Sequence, residues 1–111
     1  MQNKNLNNDF IERATSVKDG KVNIPFVFSN ENNEIHGFVP GFHMRDVISK
    51  TIEDCEKMLY LKIKEEVLKR IQNNQTFPFF PDDKQIYEDF DDVVKIIRYD
   101  FEVPTLNWYI F

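Results

Sequence analysis

The stretch from Phe38 to Asp54, FVPGFHMRDVISKTIED, reads as the end of one strand, a tight connector at Pro40-Gly41, a second strand and a sharply marked helix start. Thr51 stands where an N-cap belongs, and Asp54 follows three residues later at the capping-box position. Beyond it, Ile52, Cys55, Leu59, Ile63, Val67 and Ile71 recur at spacings of three and four. That spacing makes one continuous apolar stripe on a helix from Ile52 to about Asn73. Two short strands feeding one long capped helix indicate an α+β domain.

Upstream, Val22, Ile24, Phe26 and Phe28 alternate with other residues, the period of a half-buried strand running to Ser29. Pro25 cannot donate to a ladder, which predicts an edge or irregular position for this strand at that residue. Residues 30–33 form a hairpin loop, since asparagine tolerates the left-handed backbone that such turns need. Glu34 to Val39 is the return strand, with Ile35, Gly37 and Val39 on one face and His36 and Phe38 on the other. A third strand covers about His43 to Ser49. Before all of these, Asp9 caps a short helix from Phe10 to Val17, closed by the turn signal Asp19-Gly20.

Downstream of the helix, Pro78 and Pro81 hold a connector out of helix and central strand. Phe77, Phe79 and Phe80 are too apolar for a solvated loop and are expected to fold back over the core. Asp82-Asp83 caps a short helical turn, and Val93 to Val103 forms the last strand with Ile97, Tyr99, Phe101 and Val103 on one face. The expected fold is a three-to-four-stranded, mainly antiparallel β-β-β-α-β sheet with one long helix on one face and a short N-terminal helix. It divides into an N-terminal extension (1–21), the α+β domain (22–103) and an aromatic tail (104–111).

The 111 residues fit one domain with a single core; 41% are hydrophobic, and eleven are phenylalanines. A net charge of −5 argues against direct nucleic-acid binding, which needs clustered cations to neutralise phosphates. A basic protein partner suits the charge better. The lone cysteine, Cys55, allows no disulfide within the chain and reads as a small buried hydrophobe. With no apolar leader near Met1 and no run long enough to span a bilayer, the expectation is a cytoplasmic protein that engages no membrane.

Chemistry finds little purchase. His36 and His43 lack a third ligand at a metal-binding spacing, the three glycines build no phosphate loop, and no serine lies in a nucleophile elbow. The expectation is no enzyme, no cofactor and no metal. Asp82, Asp83, Glu88, Asp89, Asp91 and Asp92 place six acids within eleven residues, with Tyr87 and Phe90 among them. Interleaved acids and rings suit a basic surface, so Asp82, Asp83, Tyr87, Glu88, Asp89, Asp91 and Asp92 are the candidate partner-binding residues. A solubilising role for a Phe-rich chain is the plainer reading of the same cluster. Leu61 and Leu68, seven apart, form a second helix stripe that either lies under a loop or the N-terminal segment or meets another chain. Together with Trp108, Tyr109 and Phe111 they are the candidate self-association residues of a homodimer or higher homo-oligomer.

The order of elements resembles the HicB-type antitoxin family and its partial RNase H-like domain. The resemblance rests on Pro40-Gly41-Phe42, the strand to Ser49, Thr51-Ile52-Glu53-Asp54 at the helix start, the connector prolines Pro78 and Pro81, and the strand VVKIIRYDFEV, and it covers roughly residues 22–103. Asn30-Glu-Asn-Asn stands in place of a Gly-containing hairpin turn, and Met44 where a glycine is expected. Eight residues follow the last strand, too few for the DNA-binding module that many members carry there. The resemblance implies a non-enzymatic domain that neutralises a basic ribonuclease toxin. Two alternatives stand beside it: an acidic inhibitor of a host nucleic-acid-binding protein encoded by a phage or mobile element, and a small carboxylate-based enzyme.

Overall fold

The computed structural model describes residues 17–103. Among these residues five strands form one sheet: β1 (Val17–Lys18), β2 (Lys21–Glu31), β3 (Glu34–Val39), β4 (Phe42–Ser49) and β5 (Val93–Glu102). All pairings are antiparallel, in the order β5-β2-β3-β4, with β1 lying beside the first residues of β2. Between β4 and β5 come the long helix α1 (Ile52–Gln72) and the short helix α2 (Asp83–Asp89).

Local chemistry accounts for each connection. Asp19-Gly20 and Asn32-Asn33 each carry two successive positive φ values, the signature of two-residue type I′ hairpin loops. The second hairpin loop is therefore only Asn32-Asn33, and Asn30 and Glu31 belong to β2. Pro40 presets φ, and Gly41 at φ 97° accepts the left-handed position that follows, as a type II turn requires. Thr51 caps α1, its Oγ1 accepting from the Asp54 amide at 3.1 Å. At the other end Asn74 is left-handed; its amide donates to Ile71 and that of Gln75 to Arg70 at 2.8 Å, an asparagine version of the Schellman stop.

The sheet face toward α1 carries the main core. Val22, Ile24, Phe26 and Phe28 of β2 meet Cys55, Leu59, Ile63 and Val67 of α1, with Phe101 and the connector residue Phe77 closing the ends. This is the stripe that the spacing predicts. The opposite, far face holds Pro25 and Val27, both fully buried, and the fully buried Ile86 of α2 belongs to this second layer. The connector crosses between the two layers: Phe77 is in the α1 layer, while the Pro81 carbonyl accepts from Arg98 on the far face.

Pro25 lies in the central strand but at a locally open edge, as its missing donor predicts. It escapes the missing-donor penalty through register. β1 pairs with Val22 and Lys21, and β3 begins at Val27, so residues 23–26 have no strand on that side. The Val103 amide donates to Gly20 at 2.7 Å, which fixes the alternation along β2 and turns Pro25 toward this gap. Two expectations need correction. Val17 is a strand residue paired with Val22, not the end of a helix; residues 10–16 of that helix lie outside the described residues. Phe77 is buried and Phe80 packs on the core, but Phe79 stands 60% exposed, beside an open cleft that Arg98 and Asp100 also line.

Candidate protein-binding surface

Arg98 fastens α2 to the far face. Its position opposite Pro25 points it away from the main core. Its Nε donates to Asp83 Oδ1, Nη1 to Asn23 Oδ1 and Nη2 to the Pro81 carbonyl, each at 2.9 Å. Asp82 caps α2, accepting from the Gln85 amide at 2.8 Å. Because the site is partly solvated, Arg98→Ala is expected to cost about 1–2 kcal/mol. The loss should appear as faster hydrogen exchange through Ile86 with little change along α1.

This short helix covers only the β2–β5 half of the far face. Among the described residues no helix covers the β3–β4 half. There His36, Phe38, Asp46 and Ile48 project from neighbouring strands, since His36 pairs with Ile48 and faces away from Gly37 and Val47. Ile48 is 59% exposed. Phe38 stacks at a tilt on Phe90 at 4.9 Å, which joins the end of α2 to this strip. The His36 ring lies between two carboxylates, with Nε2 2.9 Å from Asp46 and Nδ1 3.5 Å from Glu31. The result is an apolar strip, Ile48 to Phe38 to Phe90, bordered by acids from the β2–β3 hairpin, β4 and the end of α2.

The acidic cluster reaches this border only in part. Asp82 is spent on the cap of α2, Asp83 on Arg98, and Asp92 on a left-handed turn whose carbonyl accepts from the Asn30 amide. Asp89 accepts from Gln85 Nε2 at 2.9 Å. Tyr87, Glu88 and Asp91 are exposed. Glu88 and Asp89 fall in the last turn of α2, where the helix dipole disfavours anions and no basic residue compensates. A local rule is broken there, as happens where a surface serves something other than stability.

Of the self-association candidates, Leu61 and Leu68 are 68% and 50% exposed, and among the described residues neither a loop nor another segment covers them. Trp108, Tyr109 and Phe111 lie outside the described residues. Leu61 borders an apolar groove of about 610 Å³ between α1 and β5, with Tyr60, Tyr99 and Glu56. The Tyr99 hydroxyl donates to Glu56 Oε2 across it.

The far face also holds an open cleft of about 480 Å³ by the β1–β2 turn, lined by Lys18, Lys21 and Arg98 but also by Asp19 and Asp100. Its charges offset one another, and Arg98 and Asn23 are engaged within it. Cys55 is fully buried; burial raises its thiol pKa above the ordinary value, against a smaller opposing pull from the Gly37 backbone. Such a thiol stays protonated and unreactive. Among the described residues no three His, Cys, Asp or Glu side chains are placed to hold a metal ion, and no helix is long and apolar enough to cross a membrane. The open strip escaped sequence reasoning because its residues come from β3, β4 and the end of α2; only the unusual Phe38 and Ile48 on an otherwise polar period hinted at it. Compared with protein-family models, characterised proteins and solved structures, the chain has no significant match in any of the three.

Proposed function

We propose that this chain is a non-enzymatic protein-binding domain that takes a basic partner on the open half of its far face. The observation that carries the reading is the apolar strip of exposed Ile48 and half-buried Phe38 and Phe90, framed by Glu31, Asp46, Asp89 and Asp91. An exposed apolar centre with a charged rim is how protein interfaces are built, and the sign of the rim selects the partner. The resemblance to HicB-type antitoxins makes that partner a small basic ribonuclease toxin.

The test is recovery of the tagged chain from its source cell, with partners identified by mass spectrometry. A small basic protein released by high salt is expected with the unaltered chain and with Leu61→Lys. Ile48→Lys should reduce its recovery at least tenfold, because one charged group is then buried unpaired at the interface centre. Recovery of no basic protein would overturn the function; equal recovery with Ile48→Lys would overturn the surface.

A further inference from the structure

We propose that two copies of this chain join through the outer edges of their β5 strands, in a two-fold pairing centred on Tyr99 that makes one continuous sheet. This rests on a different part of the molecule from the partner-binding reading and stands or falls separately.

Among the described residues β5 pairs only with β2, so its other edge presents an unpaired ladder. The alternation set by the Val103-to-Gly20 hydrogen bond identifies which residues point outward: Ile96, Arg98, Asp100 and Glu102. An open edge of that length is a template for another strand, and proteins that leave one usually cover or use it. What covers this edge is indicated by its own charges. In an antiparallel self-pairing, centring the two-fold on Arg98 places two guanidinium groups opposite each other, and centring it on Asp100 opposes two carboxylates. Both are unfavourable cross-strand pairs. Centring it on Tyr99 sets Arg98 opposite Asp100 of the second copy, twice. Arg98 can serve both roles: its three intrachain bonds use three of its five N–H groups.

The other face of the same register is apolar. Ile97 then lies opposite Phe101 of the second copy, and Tyr99 opposite its own equivalent, on the side of the sheet that faces α1. The groove between α1 and β5 ends at Tyr99, so the two grooves meet at the axis and the 68% exposed Leu61 gains cover. The open strip on β3 and β4 lies away from this edge and remains free for its partner. An isologous contact of this kind closes on itself and yields a dimer rather than a fibre.

The full 111-residue chain should sediment at twice its 13.3 kDa mass at high micromolar concentration. Asp100→Arg, which opposes cations twice in this register, should return it to the monomer with its fold intact by circular dichroism. Tyr99→Cys should form an intermolecular disulfide under mild oxidation, since residues opposed at a non-hydrogen-bonded pair bring their Cβ atoms within about 4.5–5.5 Å; Ile97→Cys, away from the axis, should not. Amide exchange at Ile96, Arg98 and Asp100 should slow as concentration rises. A chain that stays monomeric at those concentrations overturns the proposal. So does a dimer indifferent to Asp100→Arg, or edge protection independent of concentration, which would mean that a segment of the same chain covers the edge.

Discussion

Phe26→Ala is expected to cost about 3–5 kcal/mol of folding stability, the range for truncating a fully buried aromatic residue. Phe26 has no exposed surface, and its ring is the hub of the aromatic group on the α1 side of the sheet: Tyr99 lies at 4.7 Å, Tyr60 at 6.3 Å and Phe101 at 6.4 Å. These rings come from β2, α1 and β5, so the truncation opens a void where three elements meet, and rigid neighbours on a sheet collapse poorly into it. For a domain of this size each kcal/mol lowers the melting midpoint by roughly 4–8 °C, so the variant should melt on the order of 20 °C below the parent. Phe26→Leu keeps most of the volume and should cost less than half as much. Denaturant unfolding followed by circular dichroism measures both. A loss below about 1.5 kcal/mol for Phe26→Ala would mean that the hub can repack and that the three elements are less tightly joined than their ring distances imply.

The contrast between what the sequence discloses and what it conceals follows range. The α1 stripe from Ile52 to Val67, the Thr51 cap, the two faces of β3 and the inward set Ile97, Tyr99 and Phe101 all follow from periodicities of two and 3.6 within one element. The coverage of the far face does not. α2 has seven residues and one buried side chain, Ile86, too little for any period to register. Its anchor is Arg98, fifteen positions away from Asp83 and seventy-five from Asn23, a relation that no local pattern encodes. Pro25 discloses its local edge but not what makes it one. Its effect depends on where β1 ends and β3 begins along the neighbouring edge, not on its own strand. The candidate surface is legible to the same degree: the acids were visible as a cluster, but which of them are consumed by caps and ion pairs, and which border Ile48, depends on tertiary placement.

Gly37→Ala is the second large loss expected, and its origin can be isolated. A Cβ at Gly37 would stand 2.6 Å from Cys55 Sγ, 3.3 Å from Val47 Cγ2 and 3.4 Å from Leu59 Cδ2. The first separation is far inside contact distance, and Cys55 is fully buried on the helix face pressed against β3, with its Sγ 3.6 Å from the Ile35 carbonyl and 3.8 Å from that of Val47. Gly37 does not have positive φ, so alanine meets no backbone strain there; in a strand it would otherwise be slightly favoured through its smaller loss of chain entropy. The whole cost therefore comes from forcing α1 and β3 apart, about 1–3 kcal/mol for overpacking a close-packed site. Cys55→Ala removes the obstructing sulfur and should itself cost about 1 kcal/mol for the small void it leaves. In that background Gly37→Ala should cost less than half of what it costs alone, because the added methyl occupies the space that the sulfur vacates. A double-mutant cycle by denaturant unfolding measures the coupling. Additive losses would show that the methyl is resisted by Val47 and Leu59 instead, and that the approach of α1 to the sheet is not set by the Gly37–Cys55 contact.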